Sequence, residues 1–165
     1  MRSFSLIKNI ETSEGNKITL RPYEEIYFSS LVKMYDDYRP LASVQGLPPN
    51  EKVIRHKWVQ DMISRGTNLL ALNGERVIGQ ASFFSMPVNW VEFFIFIHQD
   101  FQRQGIGTAM TRYVIEWAKK EKMSAIWLSV ERKNYVAVSL YRSVGFERFG
   151  SNGFELEMVF TLDNK

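Results

Sequence analysis

At 165 residues, with 45% apolar and 24% charged side chains, the chain has the size and balance of one soluble globular domain with a sizeable core. Its net charge of +3 is spread over lysines and arginines interspersed with acids, which argues against a nucleic-acid footprint and suits a ligand with several phosphates. The lack of cysteine excludes disulfides and thiolate chemistry, the two distant histidines (His56 and His98) argue against a metal site, and no run of about 20 apolar residues offers a membrane span.

Taken in order, residues 1–16 read as a short strand or a loose N-terminal arm ending in a turn-rich segment, Glu11 to Asn16. The first eight residues have neither a sustained apolar core nor a small-residue cleavage site, so no signal peptide is expected and the location is expected to be cytoplasmic. Lys17 to Arg21 alternates as a strand and is stopped by Pro22. Glu24 to Tyr38 is helical, with Ile26, Tyr27, Leu31, Met34 and Tyr35 inward and two glutamates at its start. A loop from Leu41 to Pro49 follows. Asn50 is the expected cap of a second helix running to Ser64, with Val53, Ile54, Trp58, Val59 and Met62 inward.

Asn68 to Leu72 and Arg76 to Met86 read as a hairpin turned at Asn73-Gly74. Trp90 to His98 is the next strand, with its apolar run from Val91 to Ile97. Apolar residues at Ile106, Ala109, Met110, Tyr113, Val114, Trp117 and Ala118 then mark a helix ending near Lys122. Ala125 to Val130 is a buried strand. Asn134 to Val144 is a short helix stopped by Gly145. Phe146 to Phe149 and Phe154 to Leu162 close the chain as a hairpin, whose exposed apolar residues would suit a homodimer. The order is that of an α+β fold with a mixed sheet and helices on both faces. All of it, residues 1–165, is expected to form one domain.

The chemistry is expected at Asp100 to Met110. Here a Gly-containing turn joins a buried strand to a helix start. The amides of a helix start lack partners within the helix, and its dipole favours an anion. Gly105 and Gly107 carry no Cβ to hold a ligand off, and Arg103 adds positive charge. The segment therefore reads as a phosphate cradle. It is not a P-loop, because Thr108-Ala109 follows Gly107 with no lysine, and it is not a dinucleotide fingerprint, because the third glycine position holds Met110.

Gln102-x-x-Gly105-x-Gly107 resembles the acetyl-CoA signature of the GCN5-related N-acetyltransferases (GNAT). Asn134-Tyr135-x-Ala137-x-x-Leu140-Tyr141-x-x-x-Gly145-Phe146-Glu147 resembles the family's second conserved stretch, with one helix and one strand between the two as in the family. The resemblance covers roughly Val91 to Phe149. It implies a GNAT-like fold and transfer of an acetyl group from acetyl-CoA to a primary amine, either a protein lysine or a small-molecule amine, by direct attack in a ternary complex.

The resemblance also implies site residues. Gln102 and the amides of Arg103, Gln104, Gly105, Ile106, Gly107 and Thr108 would hold the pyrophosphate. The backbone of Ile95, Phe96 and Ile97 would hold the pantetheine arm and the thioester oxygen; without the resemblance these three are plain core strand. Tyr141 matches the family's frequent general acid, against an alternative as a packed aromatic beside Val138. Asn134 would reach the pantetheine, or cap its helix, or both. Glu92 is the candidate base, against an alternative as a solvated strand-edge carboxylate. Enzymes that acetylate the N-terminus of a ribosomal protein carry a base glutamate where this chain has Ser129, which argues against that substrate; Glu131 is a second candidate base. Val91 to Phe94 and Gly74 to Gly79 also resemble bacterial protein-lysine acetyltransferases. The aromatics Phe83, Phe84 and Trp90 are read either as acceptor-site walls or as core. A non-catalytic sensor holding CoA or an acyl-CoA would present the same cradle, and insensitivity to Glu92 and Tyr141 would distinguish it.

Overall fold

The computed structural model describes residues 6–41 and 47–162. Eight strands form one mixed sheet in the order β1-β2-β3-β4-β5-β6-β8-β7. In chain order these are β1 (Lys8–Glu11), β2 (Lys17–Pro22), β3 (Thr67–Asn73), β4 (Arg76–Met86), β5 (Trp90–Ile97), β6 (Ala125–Glu131), β7 (Glu147–Asn152) and β8 (Glu155–Thr161). Helices α1 (Phe28–Asp37) and α2 (Lys52–Arg65) precede β3, α3 (Ile106–Lys120) lies between β5 and β6, and α4 (Tyr135–Val144) between β6 and β7. Part of the expected N-terminal arm is therefore a strand, β1, paired with β2 from Lys8↔Leu20 to Glu11↔Lys17. The loop expected over residues 41–49 includes 42–46, which lie outside the described residues, as does the N-terminal stretch 1–5.

Strand alternation sorts the side chains into two cores, one on each face of the sheet. Val91 and Phe93, with Ile95 and Ile97 packed on them, join Met110, Tyr113, Val114 and Val138 from α3 and α4. Phe96, Leu70, Leu72 and Val77 join Leu31, Met34, Tyr35, Val59 and Met62 from α1 and α2. Phe83 belongs to the first core, 2% exposed and 4.4 Å from the Trp117 ring, so it builds no acceptor wall.

The second helix departs from expectation. Its N-cap is Glu51 rather than Asn50, and Val53 (81% exposed) and Ile54 (52%) face outward. The inward position goes to Arg55. Its Nε and Nη2 donate to Asp36 Oδ1 at 2.9 and 2.7 Å, and its Nη1 donates to the carbonyls of Pro49 and Asn50 at 2.9 and 2.8 Å. A guanidinium that makes four such hydrogen bonds, to three acceptors, is satisfied inside, whereas periodicity favours the apolar residues. In the first helix Glu25–Tyr27 is a 3-10 turn, so Ile26 is 76% exposed, while Leu31, Met34 and Tyr35 are inward as expected.

Candidate active site

The site lies where β5 loses a neighbour. On one side β5 pairs with β4 along its whole length, from Met86↔Trp90 to Gly79↔Ile97. On the other side the parallel partner β6 pairs with Trp90, Val91 and Glu92 alone and then turns away to follow β8. The β6-facing edge of β5 beyond Glu92 is thus without a paired strand. The ladder with β4, continued by His98 N donating to Ile78 O at 2.8 Å, turns the backbone groups of Ile95 and Ile97 to this open edge and those of Phe96 to β4, so the expected backbone role of Phe96 is not met. The Ile97 carbonyl accepts from Gln102 Nε2 at 2.8 Å, so the Gln102 side chain braces the cradle against the strand instead of reaching into it.

The cradle follows directly. Arg103 (φ 61°) and Gly105 (φ 87°) turn the chain into α3, whose N-cap, Gly105, offers no side-chain cap. Among the described residues, none of the backbone amides of Arg103, Gln104, Gly105, Ile106, Gly107 and Thr108 donates to a protein acceptor; the first to do so is Ala109, to Gly105 O at 3.1 Å. Successive partnerless amides at a positive helix end are an anion nest. The Gln104 side chain is turned inward, 5% exposed, accepting from Asn16 Nδ2 at 3.0 Å and donating to Asp100 O at 3.2 Å. Hence Gln104 brings only its amide.

The two glycines have different reasons to be there. Nothing lies within 4 Å of a Cβ built on Gly105, whose positive φ requires glycine. A Cβ on Gly107 would lie 2.8 Å from Leu140 Cδ1, so the missing side chain of Gly107 makes room for α4 and not for a ligand.

Tyr141 is 6% exposed, its ring 6.2 Å from Phe93 and 5.6 Å from Phe146. Burial, and next the proximity of the Tyr38 phenol, push its pKa well above the usual phenol range. Asn134 caps α4, its side chain accepting from Ala137 N at 3.2 Å.

Glu92 shares its face of β5 with Phe94 and Phe96, the α1–α2 face, opposite Phe84 on β4 and Trp127 on β6. Burial raises its carboxyl above the ordinary value, against the pull of the Arg65 charge. Ser129 donates to Glu155 Oε2 at 2.9 Å, so a carboxylate from β8 stands beside the place where a glutamate was missing from the sequence. Trp90 meets Phe149 at 5.6 Å on the same face.

Sequence reasoning missed the residues that clamp α1 to this site. His98, fully buried, accepts at Nδ1 from the Asp100 amide (3.2 Å), which leaves Nε2 to donate to Asp37 Oδ2 at 2.8 Å. That bond holds the Asp37 carboxyl below the usual range. The signal, a histidine and a glutamine just past the strand, has no local pattern, because their partners lie about sixty residues away.

The model of the acetyltransferase (GNAT) family matches residues 30–146. The chain belongs to this family. An N-acetyltransferase of Methanocaldococcus jannaschii is 28% identical to it over 161 residues, covering 89% of this chain and 65% of the relative. The [ribosomal protein bS18]-alanine N-acetyltransferase of Escherichia coli is 39% identical over 70 residues, 42% of this chain and 41% of the relative. The matches thus span less than two thirds of these relatives' own length. The crystal structure of the GNAT domain of S. lividans PAT superposes with a TM-score of 0.82 at 14% identity, covering 94% of this chain and 97% of that one, so the GNAT fold is the fold of this chain. Among the described residues no helix is long and apolar enough to cross a membrane.

Proposed function

We propose that this GNAT chain is an N-acetyltransferase that moves the acetyl group of acetyl-CoA to a primary amine. The observation that carries the reading is the run of partnerless amides from Arg103 to Thr108 beside a strand edge that β6 has abandoned. Together they offer a site for a pyrophosphate and a track for an amide-bearing arm, which fits CoA. When bound, acetyl-CoA supplies a thioester carbonyl open to attack by an amine.

The chain's own residues do the rest. The amides of Arg103 to Thr108 bind the pyrophosphate, with Arg103 adding charge. The open backbone of Ile95 and the amide of Ile97 orient the pantetheine and face the thioester oxygen; an amide fixed toward developing negative charge stabilises it without reorganisation. Asn134 keeps its cap and lends its amide group to the same arm. Glu92 takes the proton of the amine, directly or through a water, and its raised pKa brings it nearer to neutrality, where a base works best. Tyr141 stays protonated across the working range, so it serves the departing sulfur as a hydrogen-bond donor. Its raised pKa makes it a weaker proton source than an ordinary phenol, which modifies the general-acid role.

The acceptor is a primary amine, a class that includes protein N-termini, lysines and small amines. We also infer a homodimer through the last hairpin, where Phe149 is 57% and Phe154 85% exposed; sedimentation of the purified chain tests it.

The test is thiol release from acetyl-CoA against a panel of lysine-containing proteins, polyamines, amino acids and aminoglycosides, with calorimetric titration of CoA alongside. Turnover above hydrolysis with one class is expected. Tight CoA binding with no turnover would replace this reading with a CoA sensor, and absence of CoA binding would overturn both. Tyr141→Phe is expected to lower kcat while leaving CoA affinity unchanged.

A further inference from the structure

Four tyrosines are buried: Tyr35, Tyr38, Tyr113 and Tyr141. The fold uses two of their hydroxyls, Tyr35 donating to Gln80 Oε1 at 2.7 Å and Tyr113 donating to the Leu6 carbonyl. Among the described residues the hydroxyls of Tyr38 and Tyr141 have no protein partner, and neither oxygen is sealed from solvent. A polar atom in an apolar cluster that finds no partner in the fold costs stability. Phenylalanine would fill the same ring space at Tyr38, which is 7% exposed and packed against Phe96 (centroids 5.8 Å, 85°) and Tyr35 (6.2 Å).

The two rings flank the same stretch of β5. The Tyr38 ring lies on Phe96 and the Tyr141 ring on Phe93, three residues apart on β5 and so on opposite faces, both in the stretch without a β6 partner. The proximity is enough for Tyr38 to raise the pKa of Tyr141, second to burial. Tyr38 shares its face with Glu92, the candidate base.

Its position is also held from both sides. Gln99 Nε2 donates to the Asp37 carbonyl at 2.7 Å, and Gln99 Oε1 accepts from the Arg39 amide at 2.9 Å, so one side chain clamps the residues before and after Tyr38. His98 adds its bond to the Asp37 carboxylate at 2.8 Å. The two residues that leave β5 toward the cradle thus fix the end of α1.

We propose that the Tyr38 hydroxyl oxygen accepts a hydrogen bond from the attacking amine and aims it at the thioester, with Gln99 as the positioning residue. The amine then enters on the face of Glu92 and Tyr38, while the sulfur departs on the face of Tyr141. This proposal rests on the acetyl-transfer reading.

The test is initial-rate kinetics of Tyr38→Phe and Gln99→Leu, with a short peptide bearing a free N-terminal alanine and an internal lysine as acceptor, or spermidine if the wild type ignores the peptide. For Tyr38→Phe the acceptor KM is expected to rise about tenfold, the effect of one lost hydrogen bond. The Kd for CoA by calorimetry should stay within about twofold and the melting temperature should not fall, since the hydroxyl contributes nothing to the fold. Gln99→Leu should raise the acceptor KM by a smaller factor. An unchanged acceptor KM in Tyr38→Phe would overturn the proposal alone. So would a lower melting temperature with equal losses for both substrates, because the hydroxyl would then belong to the fold. Wild-type protein that binds CoA but acetylates no amine would overturn the acetyl-transfer reading and this proposal with it.

Discussion

Replacing each cradle glycine by alanine separates two physical roles that look alike in sequence. Gly105 sits at φ 87° in open space, so the methyl of Gly105→Ala meets nothing, but the backbone must hold a left-handed conformation. That costs about 1–2 kcal/mol. Gly107 has no positive φ and lies in the first turn of α3. Alanine there gains about 1 kcal/mol of helix propensity, and its methyl, 2.8 Å from Leu140 Cδ1, must displace the tip of a flexible side chain at about 1 kcal/mol. The two nearly cancel. Urea denaturation should therefore find Gly105→Ala destabilised by about 1–2 kcal/mol and Gly107→Ala within about 1 kcal/mol of the wild type. In a Leu140→Ala background the clash is gone, and Gly107→Ala should stabilise by about 1 kcal/mol. Calorimetric titration should find the CoA affinity of Gly107→Ala close to that of the wild type. If Gly107→Ala stayed folded but lost CoA binding, or if its effect on stability were the same with and without Leu140, the assignment of Gly107 to helix packing would be refuted.

Glu92→Gln should cut kcat about 10²–10⁴-fold, and the wild-type rate should fall as pH drops through the raised Glu92 pKa, because the base works ionised. A folded pKa above the unfolded one means that the fold favours the protonated carboxyl. That stability is complete below the ordinary value of 4.5 and is lost as pH rises through the folded value. Glu92→Gln should accordingly melt higher than the wild type at pH 7, with the gain disappearing toward pH 4.5; an equal or lower melting temperature at pH 7 would count against the buried carboxylate. Arg55→Met should cost about 2–4 kcal/mol in urea denaturation, since it leaves two loop carbonyls without their donor and a partly buried Asp36 with His56 as its remaining partner. Burial alone would raise the Asp36 carboxyl, but the Arg55 and His56 hydrogen bonds and charges outweigh it and hold it below 3.8. Its contribution is present above the unfolded value and lost as pH falls through the folded one, so Arg55→Met should flatten the acid limb of the stability profile; an unchanged limb would refute the pairing.

Much of this protein was legible in its sequence, because the signals are local. The Val91–Ile97 run, the Asn73-Gly74 turn, the 3.6-residue period after Gly105 and the Asn134 and Gly145 caps each act within a few residues, so the strands, the helices and the turn from β5 into α3 could be placed from them. What periodicity misplaced was α2, where Arg55 takes the inward position because Asp36, nineteen residues away, is there to receive it. The tertiary structure alone decided three things. It parted β6 from β5 after Glu92, which opens the backbone edge. It gave Gly105 to the turn and Gly107 to Leu140. And it brought Tyr38 from the end of α1 to Phe96, clamped through Gln99, opposite Tyr141. Each depends on pairings across many residues, whose register is set by which side chains fill a shared core and not by the pattern of any one segment.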